Sequence, residues 1–153
     1  AVIGLNYDIV CGLLKDENLS GIDIANLNAP EQIIVSGLRE DVMAAETAFI
    51  NAGAKRYIPL KVSGAFHSRY MMNAAKEFRA YIANIEFMEP IFPVISNLDA
   101  QPYDTMRAQD LLVAQIHSSV RWAESIQYLR RQGEMEFIEL GPGKVLSGLL
   151  RRI

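Results

Sequence analysis

The chain holds two histidines, His67 and His117, and imidazole is the side chain that most readily takes and returns a proton near neutral pH. His67 stands in Gly64-Ala65-Phe66-His67-Ser68. A strand-like run from Ala54 to Val62 and a small, bendable Ser63-Gly64-Ala65 turn precede it, and a helix-like stretch starts near Arg69. One imidazole at a strand-to-helix corner can serve as general base to a hydroxyl or thiol nucleophile. The competing use is a structural hydrogen bond. No Gly-x-Ser-x-Gly elbow occurs in the chain, and Ser63, Ser68 and Ser96 all lie outside such a turn. His117 reads as a surface or packing residue. The two histidines are not at metal-ligand spacing and nearby acids complete no zinc site, so no metal is expected. Cys11 sits in an apolar helical pattern and reads as core filler. Gly141-Pro142-Gly143-Lys144 lacks the full phosphate-loop pattern and reads as a tight turn.

The elements that would carry this corner follow from hydrophobic periodicity. Ala1 to Leu5 reads as a strand, and Asn6 caps a helix bearing Ile9, Val10, Leu13 and Leu14. Ile22 to Leu27 and Gln32 to Ser36 read as strands joined by the turn chemistry of Asn28-Ala29-Pro30-Glu31. Glu40 and Asp41 favour the start of a helix that runs through Met43, Phe49 and Ile50 and stops at Gly53. Lys55 to Leu60 is the next strand. This order, β-α-β-β-α-β, is the ferredoxin-like arrangement. Beyond it, a helix spans Arg69 to Asn84, and Pro90 and Pro93 bracket a strand that ends at Ser96-Asn97. Helix-like segments cover Met106 to Ile116 and Val120 to Arg131, Phe137 to Leu140 is a short strand, and Lys144 opens a last helix. These later units call for a parallel sheet with more strands than the chain supplies, so apolar surface is expected to remain uncovered.

The chain has 153 residues, half of them hydrophobic, enough for one modest core. A net charge of −3 and a pI near 5.4 argue against a nucleic-acid partner. One cysteine excludes a disulfide framework and fits a reducing cytoplasm. No apolar run approaches the roughly 20 residues that cross a bilayer, so no membrane role is expected. The apolar ends, Ala1-Val2-Ile3 and Leu149-Leu150-Arg151-Arg152-Ile153, read as the edges of a piece of something larger.

Five stretches together resemble one family: Asn26 to Gly37, Val62 to Ser68, Pro93 to Asn97, Val120-Arg121-Trp122, and Glu139 to Leu146. The chain resembles the malonyl-CoA:acyl-carrier-protein transacylases, most of all the discrete, trans-acting acyltransferases of bacterial polyketide synthases. The resemblance implies an α/β protein with an α+β small subdomain. Residues 1–61 would be the ferredoxin-like small subdomain, and residues 62–153 the C-terminal portion of an α/β-hydrolase-like large subdomain. It implies a serine acyl-enzyme that carries malonyl from CoA to the phosphopantetheine thiol of an acyl carrier protein, in polyketide or fatty acid biosynthesis. No cofactor is implied beyond those two substrates. His67 would be the base, and Gln115 would orient it through a backbone carbonyl. Phe66, beside the acyl pocket, would favour malonyl over a branched acyl group, although one methyl group is worth only about 1–3 kcal/mol. Asn28 would border the acyl or pantetheine region. In the family the serine elbow, a malonyl-binding arginine and a Gly-Gln-Gly loop all precede this region. The implied partners therefore include that N-terminal half, and the chain alone is expected to be inactive. Two other readings stay open: an acyl hydrolase of the same fold, and a non-catalytic ferredoxin-like interaction module. The module reading expects His67 to be buried with no cleft around it.

Overall fold

The structure is a computed structural model that describes residues 1–153, the side chain of Glu17 excepted. The first sixty residues build one sheet with helices against it. Strand β1 (Val2–Ile3) leads to helix α1 (Tyr7–Leu13). The Asn6 side chain accepts the Ile9 amide at 3.0 Å, satisfying a donor that the first helical turn leaves unpaired. Strands β2 (Ile22–Ala29) and β3 (Gln32–Gly37) form an antiparallel hairpin. Helices α2 (Arg39–Ala44) and α3 (Glu46–Asn51) return the chain to β4 (Arg56–Tyr57). The sheet order is β2-β3-β1-β4 with every pairing antiparallel, so the expected β-α-β-β-α-β unit is formed.

Its core gathers Val2, Val10, Ile33, Ala45 and Phe49, all sealed from solvent. Burying each of the larger of these side chains contributes about 1.5–3 kcal/mol. Phe49 stacks on Tyr57 with ring centroids 5.4 Å apart. The Tyr57 hydroxyl donates to the Val42 carbonyl at 2.6 Å, and burial pushes that phenol up to about 12. The helix expected from Glu40 to Gly53 is divided at Ala45, where ψ opens to −17°. The bonds Ala45 N to Asp41 O and Phe49 N to Ala45 O persist on either side, so the division is a loosened turn within one rod.

The later residues form helices α4 (Met72–Ile82), α5 (Ala108–Ala114), α6 (Trp122–Arg131) and α7 (Val145–Leu150). Short 3₁₀ turns at 69–71 and 105–107 lead into α4 and α5. Ala75 and Ile82 of α4 pack on Val113 of α5, with Phe78, Leu112 and Ile116 around them. The strands expected at 93–97 and 137–140 do not form ladders. Among the described residues the first has only an isolated bridge, Ile95 to Pro102, and the second has none. A strand is held by its neighbours' amides and carbonyls; the first segment finds only a short partner, with Ser96 N on Gln101 O and Tyr103 N on Val94 O both at 2.8 Å, and the second pairs with no strand among the described residues. The expected strand at Lys55 to Leu60 shortens to two residues, both paired to β1.

The turn after residue 140 is built as its glycines allow: Gly141 has φ 126° and Gly143 φ 92°, a region costly for other residues. It folds Glu139 back onto the start of α7. There the carboxylate accepts the amides of Leu146 and Ser147 at 3.0 and 2.9 Å and the Ser147 hydroxyl at 2.6 Å. These donors hold the Glu139 carboxyl below the usual carboxylate range.

The two parts meet at the outer edge of β2. Val120 lies parallel to that strand, donating its amide to Ala25 O at 2.8 Å and accepting from Leu27 N at 2.9 Å. The Ser119 hydroxyl donates to Ile24 O. A bare sheet edge is thereby partly covered. Among the described residues no helix is long and apolar enough to cross a membrane.

Candidate active site

His67 occupies the corner between β4 and α4 with φ 58°, in the left-handed region that histidine enters more readily than most residues. Such a conformation costs on the order of 1–3 kcal/mol and persists only where its surroundings over-determine it. Two contacts from the end of α5 do so. The His67 amide donates to Ile116 O at 3.2 Å, and ring Nδ1 lies 2.8 Å from the Gln115 carbonyl oxygen. Gln115 terminates α5, so its carbonyl is among those a helix leaves unpaired. A carbonyl oxygen can only accept, so Nδ1 carries the hydrogen and the lone pair of the neutral ring sits on Nε2. Among the described residues nothing hydrogen-bonds Nε2.

The Gln115 side chain is itself held. Its Oε1 accepts from Asn97 Nδ2 at 3.1 Å, and the Asn97 carbonyl accepts the Arg121 amide at 2.9 Å. The ring's orientation thus rests on a chain of bonds from the start of α6 through Asn97 to the end of α5. Asn97 went unassigned in the sequence, where its only signal was the Pro93 to Asn97 stretch.

The His67 ring is half-buried and lines an open cavity of about 380 Å³. Asp23 and Ile24 of β2, Arg69, Met72 and the run His117-Ser118-Ser119 line the rest. The expected pair, His67 and Gln115, is therefore brought together across 48 residues. Phe66 is 46% exposed, with its ring against Gly64, and does not line this cavity. Asn28 is half-buried on β2; its neighbours Leu27, Ala29 and Pro30 line a second groove of about 600 Å³ beside α6. His117, read from sequence as surface or packing, shares the cavity with His67. That placement follows from the turn after α5, which no local pattern reveals.

Asp23 and Arg69 also escaped the sequence reading, since 46 positions separate them. The Arg69 guanidinium forks onto both Asp23 oxygens. Hydrogen bonds from Arg69 hold the Asp23 carboxyl below the usual range. Two nearby hydroxyls are committed elsewhere: Ser68 to Ala65 O at 2.5 Å, and Ser119 to Ile24 O. Among the described residues no serine is bonded to His67, and no cluster of three metal-ligating side chains occurs. The site is an imidazole whose Nδ1 is held on a backbone carbonyl and whose ring lines an open cavity.

Comparison with known proteins finds relatives in both sequence and fold. The chain is 46% identical over 154 residues to the polyketide biosynthesis malonyl CoA-acyl carrier protein transacylase PksC of Bacillus subtilis, covering all of the chain and 54% of PksC. It superposes on an acyl carrier protein S-malonyltransferase from Vibrio cholerae with a TM-score of 0.91 at 38% identity, covering 99% of the chain and 50% of that protein. Over its whole length the chain is similar in sequence and fold to malonyl CoA-acyl carrier protein transacylases. A third relative, a malonyl-transacylase solved in complex with a type II polyketide synthase acyl carrier protein, aligns with a TM-score of 0.93 at 35% identity. That alignment covers 99% of the chain and 50% of the transacylase. The chain spans about half the length of each of these three transacylases. No protein-family model matches it.

Proposed function

We propose that this chain supplies the general base and the ferredoxin-like layer of an acyltransferase that moves malonyl from CoA to the phosphopantetheine thiol of an acyl carrier protein. The carrying observation is the His67 ring, fixed by Nδ1 on the Gln115 carbonyl and lining an open cavity. A serine hydroxyl is a poor nucleophile until a base removes its proton. In the proposed reaction that serine comes from a stretch of polypeptide outside these residues. Its proton passes to His67 Nε2 as its oxygen bonds to the thioester carbon. The carbon–sulfur bond breaks, and the departing CoA sulfur takes the proton from Nε2. In the second half the carrier thiol gives its proton to Nε2 as its sulfur bonds to the acyl carbon. The ester carbon–oxygen bond then breaks and the serine oxygen recovers the proton. Gln115 keeps Nε2 the accepting nitrogen throughout.

On this reading residues 1–61 form the small subdomain and residues 62–153 part of the large one. Phe66 biases the acyl pocket toward malonyl, Asn28 borders the pantetheine path, and the work takes place in the cytoplasm. The partners are malonyl-CoA and an acyl carrier protein of a polyketide or fatty acid pathway. The half-buried setting of His67 beside a cavity supports the enzyme over the interaction module. Intact mass spectrometry of the full-length gene product after brief exposure to malonyl-CoA tests the proposal. A malonyl adduct that passes to a carrier protein is the expected result. A protein that stays unacylated, or an adduct that goes only to water, overturns the transferase.

A further inference from the structure

We infer that Asp23 is a positioning residue for His67, acting through Arg69 to clamp the His67 corner onto the edge of the ferredoxin-like sheet. The inference rests on the reading of His67 as the base.

Residue 69 delivers three groups to one carboxylate. Its amide donates to Asp23 Oδ2 at 2.8 Å, its Nε reaches Oδ1 and Oδ2 at 3.0 and 2.9 Å, and its Nη2 bonds Oδ1. A planar fork on both oxygens fixes direction as well as distance, which a point charge cannot do. The next residue adds a second tie beside it, for the Tyr70 hydroxyl donates at 3.0 Å to the carbonyl of Gly21, the residue that leads into β2. Between the α5 contacts at His67 and these ties lies only the buried Ser68, whose hydroxyl closes the turn onto Ala65 O.

The corner is thus held from two directions. The end of α5 holds the His67 amide and ring, while β2 holds Arg69 and the turn before it holds Tyr70. The left-handed φ of His67 needs both, because a residue in that region relaxes when its surroundings permit. An amide anchored at Arg69, two positions on, limits how far the His67 backbone can rotate. Asp23 and Arg69 also line the cavity that His67 lines. The carboxylate is therefore close to the base yet spent on the clamp, and it does not compete for Nε2.

Histidine-ring ¹⁵N NMR on the full-length gene product tests this, together with steady-state malonyl transfer. In the wild type His67 is expected as the Nδ1–H tautomer with a slowly exchanging ring proton. Asp23→Asn keeps the side chain's shape but loses the charge and one acceptor. It should speed exchange of that proton about 10-fold, mix in the Nε2–H tautomer, and lower kcat by on the order of 10- to 100-fold, as a misplaced catalytic group does. KM for malonyl-CoA should stay within about twofold of its starting value. Arg69→Lys keeps the charge without the fork and should fall between the two, and it decides the matter if Asp23→Asn does not fold. A wild-type tautomer and exchange rate in whichever variant folds overturns the inference. The ring signature is read independently of acylation. A changed ring in a protein that takes up no malonyl sinks the proposed reaction and leaves the clamp standing, whereas normal transfer with an unchanged ring does the reverse.

Discussion

Residues 1–61 and residues 62–153 differ in how they are finished. In the first region the four strands pair in a complete antiparallel order, and Phe49, Val2 and Val10 are wholly buried beneath them. In the second, the buried cluster is three residues on α4 and α5, while Ile91 is 100% and Leu140 90% exposed. The buried apolar side chains of the first region pack on partners a few elements away. Those at 91–94 and 138–140 face none among the described residues. Large uncovered apolar surface marks a place where another surface docks. The lesson is that a layer which closes its own sheet is locally self-sufficient, whereas helices meant to cover a parallel sheet need its remaining strands. His67 sits near the seam, bonded to the end of α5 and tied through its neighbours to β2.

Breaking the seam should cost chemistry without costing either region its packing. His67→Ala in the full-length gene product should lower malonyl transfer by roughly 10²- to 10⁴-fold, the range for a general base, with an unchanged circular dichroism melt. Near-normal transfer would remove His67 from the mechanism. The two regions should also answer differently to truncation of an apolar side chain. Phe49→Ala, in the closed core, should destabilise the chain by about 3–5 kcal/mol in urea unfolding. Leu140→Ala, on the open side, should shift it by less than about 0.5 kcal/mol. Equal effects would erase the distinction.

The open side should show itself in solution as well. The chain on its own is expected to self-associate, read by light scattering, and to bind a hydrophobic dye. A monomer with a single cooperative melt and no dye binding would sink that expectation. The smallest effect concerns acid. Arg69 makes the folded Asp23 carboxyl more acidic than the unfolded one. The stabilisation is therefore present above the unfolded value of about 4 and is lost as pH falls through the lower folded value. The difference in melting temperature between wild type and Asp23→Asn should accordingly shrink between pH 6 and pH 2 by a degree or two, about what a surface-type pair contributes. A difference that grows on acidification would reverse the sign assigned to the pair.

Much of the first region was legible before any coordinates. Asn6 caps as read, the hairpin turns at Ala29-Pro30-Glu31, and Gly53 ends α3 with φ 100°. Each of these depends on residues close together in the chain. The strands read at 93–97 and 137–140 fail for the opposite reason: their composition suits a buried sheet, but a ladder needs a partner of matching length, and the first finds only an isolated bridge to Pro102 and the second none among the described residues.

The same division holds for the site. Residue order alone determined that an imidazole stands at a bendable corner before a helix, that no serine elbow accompanies it, and that a β-α-β-β-α-β layer precedes it. Resemblance to a family paired His67 with the Gln115 carbonyl, and the fold brings the two to 2.8 Å; tertiary structure alone decided that Asp23 meets Arg69 across 46 residues and that His117 shares the cavity. Turns, caps and periodicity are written by neighbours a few residues apart. A hydrogen bond between distant segments exists only once packing has brought its two ends within 3 Å.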